Sequence, residues 1–159
     1  MLLGVNRDFL MRILVCADGE SHSRSAIKKA VSMGLSLTAE VTALHVIDPW
    51  LKTFHDEIYA QGRRQYLEYV EECLEANAEE TKRAFYLECI AEGFNASFKV
   101  RRGEPLVEIL DEVSETAPDL LITGGKRLTL WGRISSGNLP LQLQKKIGQA
   151  LPIIVVEGI

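Results

Sequence analysis

The stretch 124-GGKRLTLWGRISSGNLP-140 carries the residue types in this chain best suited to chemistry. Four glycines and three basic residues lead into Asn138-Leu139-Pro140. Glycines permit positive φ and close backbone approach, so successive N–H groups can converge on one anion. A helix that starts directly after the loop adds unpaired N–H groups and a dipole that favours negative charge. Asn138 suits the N-cap, and Pro140 needs no acceptor for its nitrogen. Lys126, Arg127 and Arg133 bring positive charge to the same segment. Taken alone, these residues allow two readings: a loop that cradles a phosphate, or a glycine-rich connection with a structural cap. A second polar feature, Asp18, follows directly on Val15-Cys16-Ala17.

The elements that would position these groups follow from the apolar periodicity. The run 12–17 is short and continuous, as in a strand buried on both faces. Ser21 offers an N-cap, and Ala26, Ile27, Ala30, Val31 and Leu35 recur at helical spacing. Glu40–Ile47 is apolar and β-branched and reads as a second strand. Residues from about Leu51 to Tyr59 give a weak signal, expected to be a mobile connection, and no role is assigned to residues 51–65. A long amphipathic helix begins at about Tyr66 and ends at Gly93, its Glu and Lys residues forming a solvated face. Residues 95–102 alternate like a strand. Pro105 opens a helix with Leu106, Ile109, Leu110 and Val113 on its apolar stripe, and Pro118 ends it. Residues 119–123 form a fourth strand. Leu139, Leu143, Ile147 and Ala150 mark a last helix, and 152–156 a fifth strand.

Strands that alternate with helices imply a parallel sheet covered on both faces, closed by right-handed crossovers. Ligands of such sheets bind beyond the carboxyl ends of the strands, where the strand order reverses. With strand 1 in the centre, that reversal falls between strands 1 and 4. Asp18 ends strand 1 and Gly124 ends strand 4, so both are expected on the rim of one crevice.

Composition narrows the classes. The chain has 159 residues, 47% hydrophobic and 25% charged, with net charge −4. That suits one globular domain without a basic stripe, which argues against a nucleic-acid binder. No apolar run approaches the ~20 residues that span a bilayer, so no membrane insertion and a cytoplasmic location are expected. The three cysteines are odd in number and lack a CxxC, which disfavours a disulfide framework or zinc site. Cys16 reads as a small core residue. The histidines, His22, His45 and His55, are scattered without metal-ligand spacing, and His45 reads as packed or hydrogen-bonded within its strand.

From Met11 to Val156 the chain resembles the universal stress protein family. The likeness runs through Ile13-Leu-Val-Cys-Ala-Asp18, Ser21-His-Ser-Arg-Ser-Ala26, Leu44-His-Val-Ile-Asp48, Gly103-Glu-Pro105, Pro118-Asp-Leu-Leu-Ile122 and Pro152-Ile-Ile-Val-Val156. The resemblance implies a three-layer α/β sandwich of the adenine nucleotide alpha hydrolase-like type, with a five-stranded parallel sheet in order 3-2-1-4-5. It implies one domain over 11–159 with residues 1–10 as an N-terminal extension. It also implies ATP or AMP as ligand, with or without a divalent cation. Ala17 and Asp18 then fall at the base or ribose, and Val46 against adenine. Nucleotide-binding members carry a glycine, two residues, a glycine, nine residues, and a glycine followed by Ser or Thr. Gly124 and Gly137 match, whereas Arg127 and Asn138 depart. Arg127 cannot offer bare backbone, but its guanidinium can grip a phosphate or fill its space. Lys126 lies beside it. Asn138 can still donate through its amide.

Three functional readings stand at this point. The first is a regulatory module that holds an adenine nucleotide. The second is a dimeric interaction module of the same fold, without nucleotide, acting on a regulatory protein partner. The third is an ATP-using enzyme, for which the chain shows no positioned nucleophile or base, so slow ATP hydrolysis is the most expected of it. The resemblance further implies a homodimer through the last strand. Ile153, Ile154, Val155 and Val156 are apolar and fall at a predicted sheet edge, which invites a partner.

Overall fold

The computed structural model describes residues 10–19, 21–49, 63–125 and 138–157. The chain alternates strand and helix throughout: β1 (Arg12–Cys16), α1 (Ser21–Leu37), β2 (Glu40–Ile47), α2 (Arg63–Ala91), β3 (Ser97–Arg102), α3 (Pro105–Thr116), β4 (Leu120–Gly125), α4 (Leu139–Ile147) and β5 (Ile153–Glu157). The five strands form one sheet in order β3-β2-β1-β4-β5, and every neighbouring pair is parallel. This is the three-layer α/β sandwich and the strand order expected from the sequence.

Side chains alternate across the sheet with period two and feed two cores. Ile13, Val15, Val41, Ala43, Leu120 and Ile122 face α1 and α2, where they meet Ala26, Ile27, Ala30, Val31, Phe85 and Cys89. Leu14, Leu44 and Leu121 face the other way, toward Ile109 of α3 and Leu143 of α4. Both faces are covered, so the central strands read as unbroken apolar runs rather than as alternating ones. Close approach of α1 depends on Gly34, where a Cβ would lie 2.7 Å from Val41 and 2.8 Å from Phe94.

Several boundaries differ from the sequence reading. Helix α1 starts at Ser21 itself, so its cap position falls on Glu20, outside the described residues. Strand β3 starts at Ser97 rather than Asn95. Gly93 turns with φ 64 and the Phe94 N–H is spent on the Cys89 carbonyl at 2.7 Å, so sheet pairing begins only where Ser97 meets Thr42. Helix α4 stops at Ile147 rather than running to Ala150. Gly148 takes φ 62, and its N–H closes the last turn on the Gln144 carbonyl at 2.9 Å. The expected connection from about Leu51 to Tyr59 lies outside the described residues, and α2 has begun by Arg63 rather than Tyr66. The expected extension lies outside them up to residue 9.

The cover over the β3 edge is ionic. Glu108, Glu112 and Glu115 form a stripe on α3 that lies over Lys99 and Arg101 of β3. The Arg101 guanidinium meets Glu108 at 2.7 Å, Glu112 at 2.8 Å and Glu115 at 3.0 Å, and Lys99 meets Glu112 at 2.8 Å. The Glu112 side chain is only 1% exposed, so its charge depends on these two cations. Breaking one partner of a buried pair leaves an uncompensated charge and is strongly destabilising. Hydrogen bonding to Arg101 holds the Glu115 carboxyl below its usual range. A carboxylate with a lowered folded value contributes stability above its unfolded pKa and loses it as pH falls through the folded one. Arg101→Met is therefore expected to lower the urea midpoint at pH 7 more than Glu115→Gln does. Glu115→Gln is expected to flatten the fall in midpoint between pH 5 and pH 3. Urea titrations of the three proteins across that range check both outcomes.

Candidate functional site

The chain leaves the centre of the sheet in two directions. It runs β1 to β2 to β3 on one side, then returns to place β4 on the other side of β1, with Val15 opposite Ile122. The two sets of crossovers part above β1 and β4 and open a crevice there. A cavity of about 300 Å³ occupies it. That volume lies at the small end of the range for ligand sites.

The end of β1 enters the cavity under tight control. The Ala17 N–H donates to the Leu44 carbonyl at 2.8 Å, and the Ala17 carbonyl lies 2.7 Å from His45 Nδ1. A carbonyl only accepts, so Nδ1 carries the proton. His45, 3% exposed, is thus the hydrogen-bonded strand residue the sequence suggested. The Asp18 N–H donates to Ser23 Oγ at 3.0 Å, and Asn77 Nδ2 reaches the Asp18 carbonyl at 3.4 Å. Gly19 turns the chain with φ 88, where a Cβ would sit 2.7 Å from Asn77 Oδ1. The Asp18 carboxylate then stands at the cavity, with its Oδ2 2.9 Å from His22 Nε2.

The remaining walls are mainly apolar. Leu44 and Val46 come from β2, Pro105 and Ile109 from α3, and Leu139 and Pro140 from α4. Thr123 and Gly124 close the β4 side. Cys16 corrects one expectation. It ends β1 on the α3–α4 side, packed against that core, and lines the cavity as well. Burial pushes its thiol up to about 12; the Asp18 charge adds to this and a hydrogen bond with Thr123 opposes it. The thiol therefore stays neutral at physiological pH and serves as wall rather than nucleophile.

The structure thus brings Ala17, Asp18, Val46, Gly124 and Asn138 to one cavity. Lys126, Arg127 and Gly137 lie outside the described residues, as do Arg133 and Trp131. Sequence reasoning missed His22. Its spacing of four from Asp18 was visible, but only the bend at Gly19 turns that spacing into contact. Sequence reasoning also gave Gly124 one role where the structure shows another. A Cβ there would lie 2.6 Å from both the His22 ring and the His22 carbonyl oxygen. The missing side chain lets α1 settle on the end of β4, whether or not an anion binds.

The α4 N-terminus is less open to an anion than its residue types suggest. Asn138 is the N-cap, and its side-chain oxygen accepts from the Leu141 N–H at 3.3 Å. The Gln142 N–H is bonded to the Asn138 carbonyl at 2.9 Å. Pro140 has no N–H. The helix N-terminus therefore retains at most the Asn138 and Leu139 N–H groups for a ligand. Among the described residues, no group of three or more His, Cys, Asp or Glu side chains could hold a metal ion.

The pattern of the universal stress protein family matches residues 10–145 of this chain. The chain belongs to the universal stress protein family. Solved structures of this family share its fold at low sequence identity. Universal stress protein UspA from Lactobacillus plantarum is 21% identical with a TM-score of 0.67, covering 92% of this chain and 97% of the other. A universal stress protein in complex with cAMP is 15% identical with a TM-score of 0.64, covering 94% and 98%. A universal stress protein from Archaeoglobus fulgidus in complex with dAMP is 17% identical with a TM-score of 0.59, covering 92% and 97%. No curated protein matches the chain. Among the described residues of this universal stress protein, no helix is long and apolar enough to cross a membrane.

The close approach at Gly124 gives a test that needs no ligand. Gly124→Ala is expected to destabilise the free protein by about 1–3 kcal/mol, the usual cost of overpacking. Urea unfolding without nucleotide reads this directly. An unchanged midpoint would show that α1 does not need the bare backbone.

Proposed function

We propose that this chain is a nucleotide-holding regulatory module whose cavity takes the nucleoside end of an adenine nucleotide, with AMP preferred to ATP. One observation carries the reading. The Asp18 carboxylate and the apolar side chains of Leu44, Val46 and Ile109 converge on one cavity at the switch point. A purine nucleoside has a flat apolar face and a rim of amine and hydroxyl donors. An apolar slot with a few placed polar groups suits that chemistry, and an ionised carboxylate accepts only. The preference for AMP rests on the α4 N-terminus, where cap and proline leave at most two of the four N–H groups for phosphate. The relatives solved with cAMP and dAMP support an adenine ligand of this size.

Native mass spectrometry of freshly purified protein and thermal melts with AMP and ATP test the reading. AMP at ~100 times its dissociation constant is expected to add about 2.7 kcal/mol of stability, with a smaller gain from ATP at equal concentration. Asp18→Ala is expected to weaken AMP at least about tenfold. No shift with either nucleotide would remove the ligand and favour a module that works through protein contacts alone.

We further propose a homodimer built on β5. This strand is a sheet edge, and Ile153, Ile154, Val155 and Val156 are all half-buried rather than buried. An apolar edge strand is a hazard unless it is paired or covered. Ile154 and Val156 already pack toward the α1 side and Ile153 toward the α4 side, so a second copy would complete their burial. Light scattering at micromolar concentration is expected to give twice the chain mass, and Val155→Lys the single mass. A monomeric wild type would refute this assembly.

A further inference from the structure

His22 stands out once the cavity is assembled. It sits in the first turn of α1, and its side chain is 11% exposed while that of Asp18 is 55% exposed. His22 is among the few polar residues of the described chain that are buried, and its ring lies between the end of β4 and the Asp18 carboxylate. The ring is also closely packed. Its Cδ2 and the His22 carbonyl approach Gly124 so closely that no Cβ fits between them. Its Nε2 reaches Asp18 Oδ2 at 2.9 Å, and a carboxylate can only accept there, so Nε2 is the donor.

From this geometry we infer that His22 is a positioning residue for the ligand: it fixes the Asp18 carboxylate at the cavity before the ligand arrives. The inference rests on the reading of the cavity as a nucleotide site. The backbone of Asp18 is already held from both sides, by Ser23 Oγ at its N–H and Asn77 Nδ2 at its carbonyl. Ordering an exposed aspartate side chain costs rotamer entropy when a donor binds it, and the His22 ring contributes one hydrogen bond toward that ordering in advance, from a buried group. An acceptor fixed in advance spares the ligand that ordering cost. Gly124 then has a second consequence for binding. Its bare backbone admits the ring that contacts the carboxylate at the neighbouring strand end.

The test is a double-mutant cycle on AMP binding, measured by calorimetric titration up to millimolar AMP. His22→Leu fills the space without a donor, and His22→Gln restores an N–H donor. Each is made in the wild-type and the Asp18→Ala background, with the free-state melt of every variant recorded. His22→Leu is expected to weaken AMP by about 3- to 10-fold, the ordering cost of one side chain. His22→Gln is expected to recover most of that loss. In the Asp18→Ala background His22→Leu is expected to change affinity less than about twofold, because the group it acts through is gone. Equal affinities for wild type and His22→Leu would overturn the positioning role, as would His22→Gln binding as weakly as His22→Leu. So would the same loss in both backgrounds, which would mark His22 as packing only. Failure of the nucleotide reading is visible separately: wild-type protein would then show no AMP binding at all, whatever residue 22 is.

Discussion

The position of β1 in the centre of the sheet is the constraint on which the rest of this structure depends. Strand β1 pairs with β2 on one side and β4 on the other, so the chain must reverse its direction of growth across it. Helices α1 and α2 cover one face, and α3 and α4 the other. The crossovers that leave β1 and β4 therefore part at the point of reversal. The crevice there follows from topology, and its lining follows from whichever residues end β1, β2 and β4. This is why a carboxylate, an aliphatic wall and a glycine, far apart in sequence, share one cavity.

The two faces of the sheet are held by different physics near that cavity. On the α1 side, small residues and Gly34 bring a helix close to the strands, and Gly124 extends the same close packing to the cavity rim. On the α3 side the edge is secured by charge. Arg101 ties β3 to three carboxylates of α3, and Glu112 is buried with both of its cations in place. Helix α3 also carries Pro105 and Ile109 into the cavity wall. The apolar side of the site therefore stands on a helix whose seat is partly ionic. A buried pair of this kind holds a specific geometry more than it adds stability.

Much of this was legible in the residues. The element order, the parallel sheet and the placing of Asp18 and Gly124 at two strand ends follow from period changes and the crossover rule, which depend on local pattern. The departures from that reading have a common cause. Cys16 has the residue type of a core position and packs against the core, but its place at the end of β1 makes it cavity wall as well. Asn95 and Ala96 continue the alternation of β3, yet the turn at Gly93 delays pairing. The alternation of residues 95–102 gave the strand but not the three acids that α3 presents to Lys99 and Arg101. Each depends on what lies opposite, and a linear pattern does not contain it.

The sequence by itself determined the class of fold, the order of its elements and the acid and glycine that flank the crevice. Hydrophobic periodicity encodes which face of each element is buried, and chain connectivity encodes the rest. Only the tertiary structure decided that His22 clasps Asp18, that Gly124 makes room for that ring, and that Asn138 spends its oxygen on Leu141. These are matters of distances of a few ångströms between groups on different elements. Their sign, contact or clash, is set by how the elements pack.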